Sequence, residues 1–418
     1  MAADITTLPP LVERERGPSA FFGYACAMRS TRLWRSFLLV VPASLAAWAA
    51  GCADDSTPAG PELDAGPPEA GVDSKAPADA GPDVAKRDCS KDVDGDGLWK
   101  HLECSGLYSS FADKTVSPDA KPYKPGIEFW SDGAEKQRWV YLPPGSKIDI
   151  SDWNEWKFPA GMKLWKELKM GGKRIETRIF TKLDDGSWVH TSYRWNADET
   201  DAVRKDGGES VAGIGPNGGA YEIPNTGQCD QCHLGRKDQA LGFDAVSLGL
   251  PTATGQTLAK LAAEGWLSAA PPATTLDFPG PDDGARAAVG WLHTNCGQCH
   301  NANTNASAGF KQHLLVRATD LAPTDGGAPA TLEQLDIWTQ AYCVDAFRMD
   351  PDTKKPFKYI RGGDPAKSLM SILAGSRVNS GELPNPGVQM PPIVSRAVDH
   401  QGVKVLNDWI ATLPECTK

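Results

Sequence analysis

From about residue 120 to 228, apolar positions come in short runs of aromatic and β-branched residues separated by turn formers. The runs at 137–142, 163–168, 174–183 and 187–195 predict strands. Asp184-Asp185-Gly186 between the last two predicts a hairpin turn, and Pro143-Pro144-Gly145 ends an earlier run. Seven Trp lie between Trp130 and Trp195. They suit an aromatic core better than a sugar-binding face. Past Cys232 the pattern turns helical, over 257–265 and 285–293. It is helical again over 402–413, where Val403, Leu406, Trp409 and Ile410 share one face. The predicted fold class is α+β and multidomain: a β-rich, sandwich-like N-terminal domain followed by a mostly helical region.

The segments before the strands read differently. Arg29, Arg32 and Arg35 precede an apolar stretch too short to span a bilayer, and Ala49-Ala50-Gly51-Cys52 follows. Residues 1–51 therefore read as a lipoprotein signal with its natural start at Met28, and Cys52 as the lipid-bearing residue; an ordinary cleaved signal is the alternative. Residues 52–88 are rich in Ala, Pro, Asp and Gly and read as a disordered tether. Residues 105–228 form the β-rich domain, followed by segments 229–290 and 291–418, the latter with an insertion around 301–360.

Two pentapeptides, Cys229-Asp230-Gln231-Cys232-His233 and Cys296-Gly297-Gln298-Cys299-His300, make 229–290 read as a first haem-binding segment and 291–418 as a cytochrome c-like domain. Two thiols at this spacing can form thioethers with the two vinyl groups of one porphyrin, and the adjoining His then ligates the iron. Structural zinc would use four ligands and leave two His without a role. A thioredoxin-like motif has no use for the trailing His. Two haem c groups are expected, with Cys229, Cys232, His233, Cys296, Cys299 and His300 as their attachment residues.

For the second haem, Met390 in Gln389-Met390-Pro391-Pro392 is the expected partner of His300, presented by a proline-stiffened loop. His/Met ligation raises the reduction potential. For the first haem, His293, Met162 and His190 are candidates opposite His233, His293 being nearest in sequence; an open sixth position is the alternative.

Asp92-Val93-Asp94-Gly95-Asp96-Gly97 followed by Glu103 matches a calcium loop. Asp92, Asp94, Asp96, Glu103 and the Leu98 carbonyl would surround one calcium ion of structural role. Of the ten Cys, four hold haem, Cys52 takes lipid and Cys26 falls in the leader. Cys89, Cys104, Cys343 and Cys416 remain, which suits two disulfides in an oxidising compartment, paired here as Cys89–Cys104 and Cys343–Cys416, with other pairings open. The net charge of −10, with no basic motif that reads bases, excludes nucleic acid as a partner. The expected location is the periplasm or cell surface, with the chain anchored to a membrane through Cys52.

From about residue 105 to 418 the chain resembles a family of uncharacterised exported bacterial di-haem c-type proteins. The resemblance rests on Trp130-Ser131-Asp132-Gly133-Ala134-Glu135-Lys136, Phe158-Pro159-Ala160-Gly161, Arg174-Ile175-Glu176-Thr177-Arg178 and Arg194-Trp195-Asn196. Leu241-Gly242-Phe243, Trp291-Leu292-His293-Thr294-Asn295, Gly363-Asp364-Pro365 and Met390-Pro391-Pro392 extend it. It implies a β-rich N-terminal domain joined to a cytochrome c-like region. The calcium loop and tether fall outside it. Electron transfer with redox partner proteins is the leading expectation, ahead of a haem-dependent oxidoreductase or peroxidase and of a binding module with structural haem.

Overall fold

The computed structural model describes residues 87–303, 312–377 and 389–417. The export signal, Cys52 and nearly all of the tether lie outside these residues. Among the described residues no helix is long and apolar enough to cross a membrane.

The strand-forming runs pair into one antiparallel sheet of seven strands. In chain order they are β1 (Lys121–Lys124), β2 (Glu135–Tyr141), β3 (Lys163–Met170), β4 (Lys173–Lys182), β5 (Trp188–Trp195), β6 (Ala202–Arg204) and β7 (Thr254–Gly255). Across the sheet they run β7-β1-β2-β3-β4-β5-β6. The expected sandwich is thus a single sheet. Its two faces are covered by other parts of the chain, because side chains alternate across each strand. Val140, Leu164 and Phe180 stand in register on one face, and Trp139, Trp165 and Ile179 on the other.

The Trp139 face packs on Leu98, Leu102, Leu107 and Tyr108 from the N-terminal segment. The Val140 face packs on the helical region, including Leu292, Leu406, Trp409 and Ile410. Six of the seven Trp between 130 and 195 are buried, so the aromatic density builds core. Residues 81–418 form one compact unit, and β7 comes from beyond the first haem motif, so the helical region and the sheet share a core. The segment around 301–360, expected as an insertion, also joins that core through Leu314, Val316, Ile337 and Phe357.

Three helices position the site. Helix α1 (Thr226–His233) starts at a capping box: Asn225 accepts from the Gln228 amide, and the Gln228 side chain accepts from the Asn225 amide. Helix α2 (Asp283–Asn295) is capped by Asp282, which accepts from the Ala285 amide. Helix α3 (His400–Thr412) is capped by Asp399, whose carboxylate also accepts from the Trp291 indole of α2 at 2.8 Å. At Gly402 a Cβ would lie 1.9 Å from that indole nitrogen, so the α2–α3 crossing requires glycine there.

Candidate functional site

Cys229, Cys232 and His233 occupy the last turn of α1 at i, i+3 and i+4, so helical geometry puts all three on one face. The second motif begins where α2 ends. Cys296 donates its amide to Leu292, and His300 donates its own to the Cys296 carbonyl at 2.8 Å, folding the motif into a tight turn. The two motifs then meet. A Cβ at Gly235 would lie 1.8 Å from the Gln298 carbonyl oxygen, so the backbone after the first motif lies directly on the second. The Cys299 thiol donates to the Gln231 carbonyl at 3.7 Å. Its hydrogen bond to Cys232 holds the Cys232 thiol down to about 7, and the same contact raises Cys299. Burial pushes Cys296 up to about 12. None of these four thiols forms a disulfide.

Both motifs line one cavity of about 590 Å³. Cys229, Cys232, His233, Cys296, Cys299, His300 and Met390 all reach its wall. Much of the remainder is apolar, with Leu164, Phe180, Leu292, Leu369, Leu373 and Leu406 among the lining side chains. The imidazoles fit an iron-binding role. His233 Nδ1 lies 2.6 Å from the Gln239 carbonyl, which can only accept, so Nδ1 carries the proton and Nε2 is left with a lone pair. The ring stacks on Phe180 at 4.0 Å. Burial pushes His233 down to about 3 and lowers His300 too, keeping both neutral and able to donate to a metal. Among the described residues no three or more His, Cys, Asp or Glu side chains gather as a metal-ion site.

Met390 reaches the cavity on a loop held by residues that motif reading did not single out as functional. Arg377 donates to the Met390 carbonyl at 3.1 Å and to the carbonyls of Ala374 and Ala397. Asp132 accepts from the amides of Arg396 and Ala397 at 2.7 and 3.1 Å. The Trp130 indole donates to Ala397, while its amide donates to the Asn295 side chain just ahead of Cys296. The quoted Trp130-Ser131-Asp132 stretch thus ties the Met390 loop to the second motif. Met370, also missed, lines the same cavity.

The expected sixth ligands of the first haem lie elsewhere. His293 is 1% exposed and outside the cavity lining. Its Nδ1 accepts from the Val316 amide at 3.0 Å and its ring packs near Phe278, because this face of α2 turns into the core. Met162 is fully buried in the core, and His190 stacks on Phe180 with Nε2 3.3 Å from Asp230. Neither lines the cavity.

The acidic loop does not gather its oxygens around a point. Asp92 binds the His101 amide and ring, Asp94 pairs with Lys100 and Arg204, Asp96 with Arg204, and Glu103 with Arg87. The Leu98 carbonyl accepts from the Asp94 amide. Asp94, Asp96 and Glu103 thus pair with protein cations. The disulfides are paired as expected: Cys89–Cys104 brackets this loop, and Cys343–Cys416 ties the chain beyond α3 to the segment before a small hairpin.

On the sheet face that floors the cavity, Arg138, Lys166 and Arg178 stand in register across β2, β3 and β4. Burial and the adjoining cations Arg178 and Arg138 hold the Lys166 amine far below the usual lysine range.

No protein-family model, curated protein or solved structure matches this chain.

Proposed function

We propose that this chain is an exported, lipid-anchored di-haem c-type cytochrome that transfers electrons between partner proteins. The observation that carries the reading is the convergence of both Cys-x-x-Cys-His motifs and Met390 on one largely apolar cavity. In that reading Cys229 and Cys232 bind one porphyrin, and Cys296 and Cys299 the other. His233 and His300 would hold the two irons, and Met390 would supply a thioether ligand to the second. Haem supplies one-electron chemistry when bound. The chain's own residues orient the ligands: Gln239 fixes the tautomer of His233, and Arg377 with Asp132 fixes the Met390 loop. The acidic net charge favours encounter with basic redox partners.

The test is maturation in a host with cytochrome assembly, followed by intact mass and pyridine haemochrome. Two covalent haems per chain are expected, and both should titrate reversibly in a spectroelectrochemical cell. A colourless product of unmodified mass rejects the proposal.

A second reading, an oxidoreductase or peroxidase acting at the first haem, draws on one observation. None of His293, Met162 and His190 lines the cavity, so none is placed to ligate that haem opposite His233. A high-spin fraction that reacts with peroxide would favour it; fully low-spin spectra favour electron transfer.

A further inference from the structure

Like charges placed directly opposite one another on neighbouring strands repel, and strands lie only about 5 Å apart. The row Arg138, Lys166 and Arg178 breaks that preference three strands wide, on a floor buried under the helical region. Its compensation is partial. Glu176, fully buried, takes Arg178 at 2.5 Å and accepts from the Tyr221 hydroxyl. Glu128 is shared between Arg138 at 3.2 Å, Lys136 at 3.8 Å and the exposed Lys124. Lys166 has no carboxylate within ion-pair distance among the described residues. Five basic side chains (Lys124, Lys136, Arg138, Lys166 and Arg178) therefore share two carboxylates, Glu128 and Glu176.

The second observation is an unsatisfied donor. The Arg138 side chain is 3% exposed and lines the cavity, yet its Nη2 has no hydrogen-bond partner among the described residues. A buried guanidinium nitrogen without an acceptor is costly. The acceptor that completes it would sit in the cavity, carry negative charge and suit a planar fork. A carboxylate has that chemistry.

We infer that Arg138, Lys166 and Arg178 form a carboxylate-binding floor that takes a porphyrin propionate in the cavity between the two motifs. This rests on the di-haem reading, since haem c keeps both propionates when its vinyl groups are joined to cysteine. The floor would orient the porphyrin from the side away from the thioethers. Its positive charge would stabilise the ionised propionate and influence the potential of the iron above it.

The holoprotein carrying Arg138→Gln tests the assignment, with Lys166→Gln as a second variant in case the first matures poorly. Expected in either is two haems per chain by pyridine haemochrome, with one of the two midpoint potentials shifted to a lower value and the other unchanged. The pH dependence of the shifted potential should also move to higher pH, since a propionate without its cations ionises less readily. Two bound haems with both potentials and their pH profiles as in the wild type overturn the floor while leaving the di-haem reading intact. A wild-type potential that follows added acetate concentration, with the dependence lost in Arg138→Gln, also overturns it, assigning the site to a carboxylate from solution. Wild-type protein without covalent haem removes both readings together.

Discussion

His293 lies one turn before Cys296 on α2, close to the second motif in sequence yet turned away from the cavity in space. Its Nδ1 accepts from Val316, and burial pushes the ring down to about 4 despite the nearby Asp244. The folded state therefore binds this proton less readily than the unfolded chain, whose imidazole titrates near 6.5. A depressed folded value means stability is fully present above the unfolded value and is lost as pH falls from about 6.5 toward 4. The linkage amounts to about 3 kcal/mol. Asn at this position keeps an acceptor for the Val316 amide and removes the titration. Urea unfolding of His293→Asn should thus show a flatter profile between pH 7 and pH 4, on a lower neutral-pH stability, and haem spectra should match the wild type. Loss of low-spin character at one haem would return His293 to the ligand set. The six Cys and His of the two motifs, which share one cavity, were legible because such motifs fix their spacing locally. His293 turns away from the cavity, since nearness along a helix does not say which way a side chain points, and Arg138 and Arg377 meet partners that are distant in sequence.

The strand runs and the helices Leu258–Ala263, Asp283–Asn295 and His400–Thr412 emerge close to where their periodicity put them, since each pattern is local, whereas Thr226–His233 reads in the sequence only as a motif and not as a helix. The single sheet does not follow from pattern alone. It depends on pairing Lys121–Lys124 with the two-residue strand Thr254–Gly255, too short to signal itself. The loop carrying Met390 lies between these extremes: its prolines mark it as stiff, but its anchor is Asp132, more than 250 positions away. Asp132 is 5% exposed and accepts from two loop amides and the Ser395 hydroxyl. Asp132→Ala leaves those donors unsatisfied, a cost of the order of 1–3 kcal/mol falling on the loop that presents the Met390 thioether. In the di-haem reading the ferric protein should then lose its methionine-to-iron charge-transfer absorption, in whole or in part, while haem content stays at two per chain. An unaltered band would show that the loop holds its position without Asp132.

At the scale of the molecule, the decisive relation is between the two motifs. Each sits on its own helix end, but Gly235 lies against Gln298 and the thiol of Cys299 reaches both Cys232 and Gln231. Nothing in the spacing of the motifs along the chain requires this; the shared core of sheet and helices imposes it. Porphyrins attached to sulfurs in mutual contact would have neighbouring edges, and their strong near-ultraviolet transitions would couple. Circular dichroism of the oxidised holoprotein should therefore show a bisignate couplet in the Soret region. Cys229→Ser with Cys232→Ser, leaving only the haem on Cys296 and Cys299, should collapse the couplet to a single band while the His300–Met390 spectrum persists. If the two-haem protein gives only the sum of two isolated bands, the haems are too far apart or unsuitably oriented to couple. The cavity would then have to be divided between them in a way that the contact of Cys232 with Cys299 does not suggest.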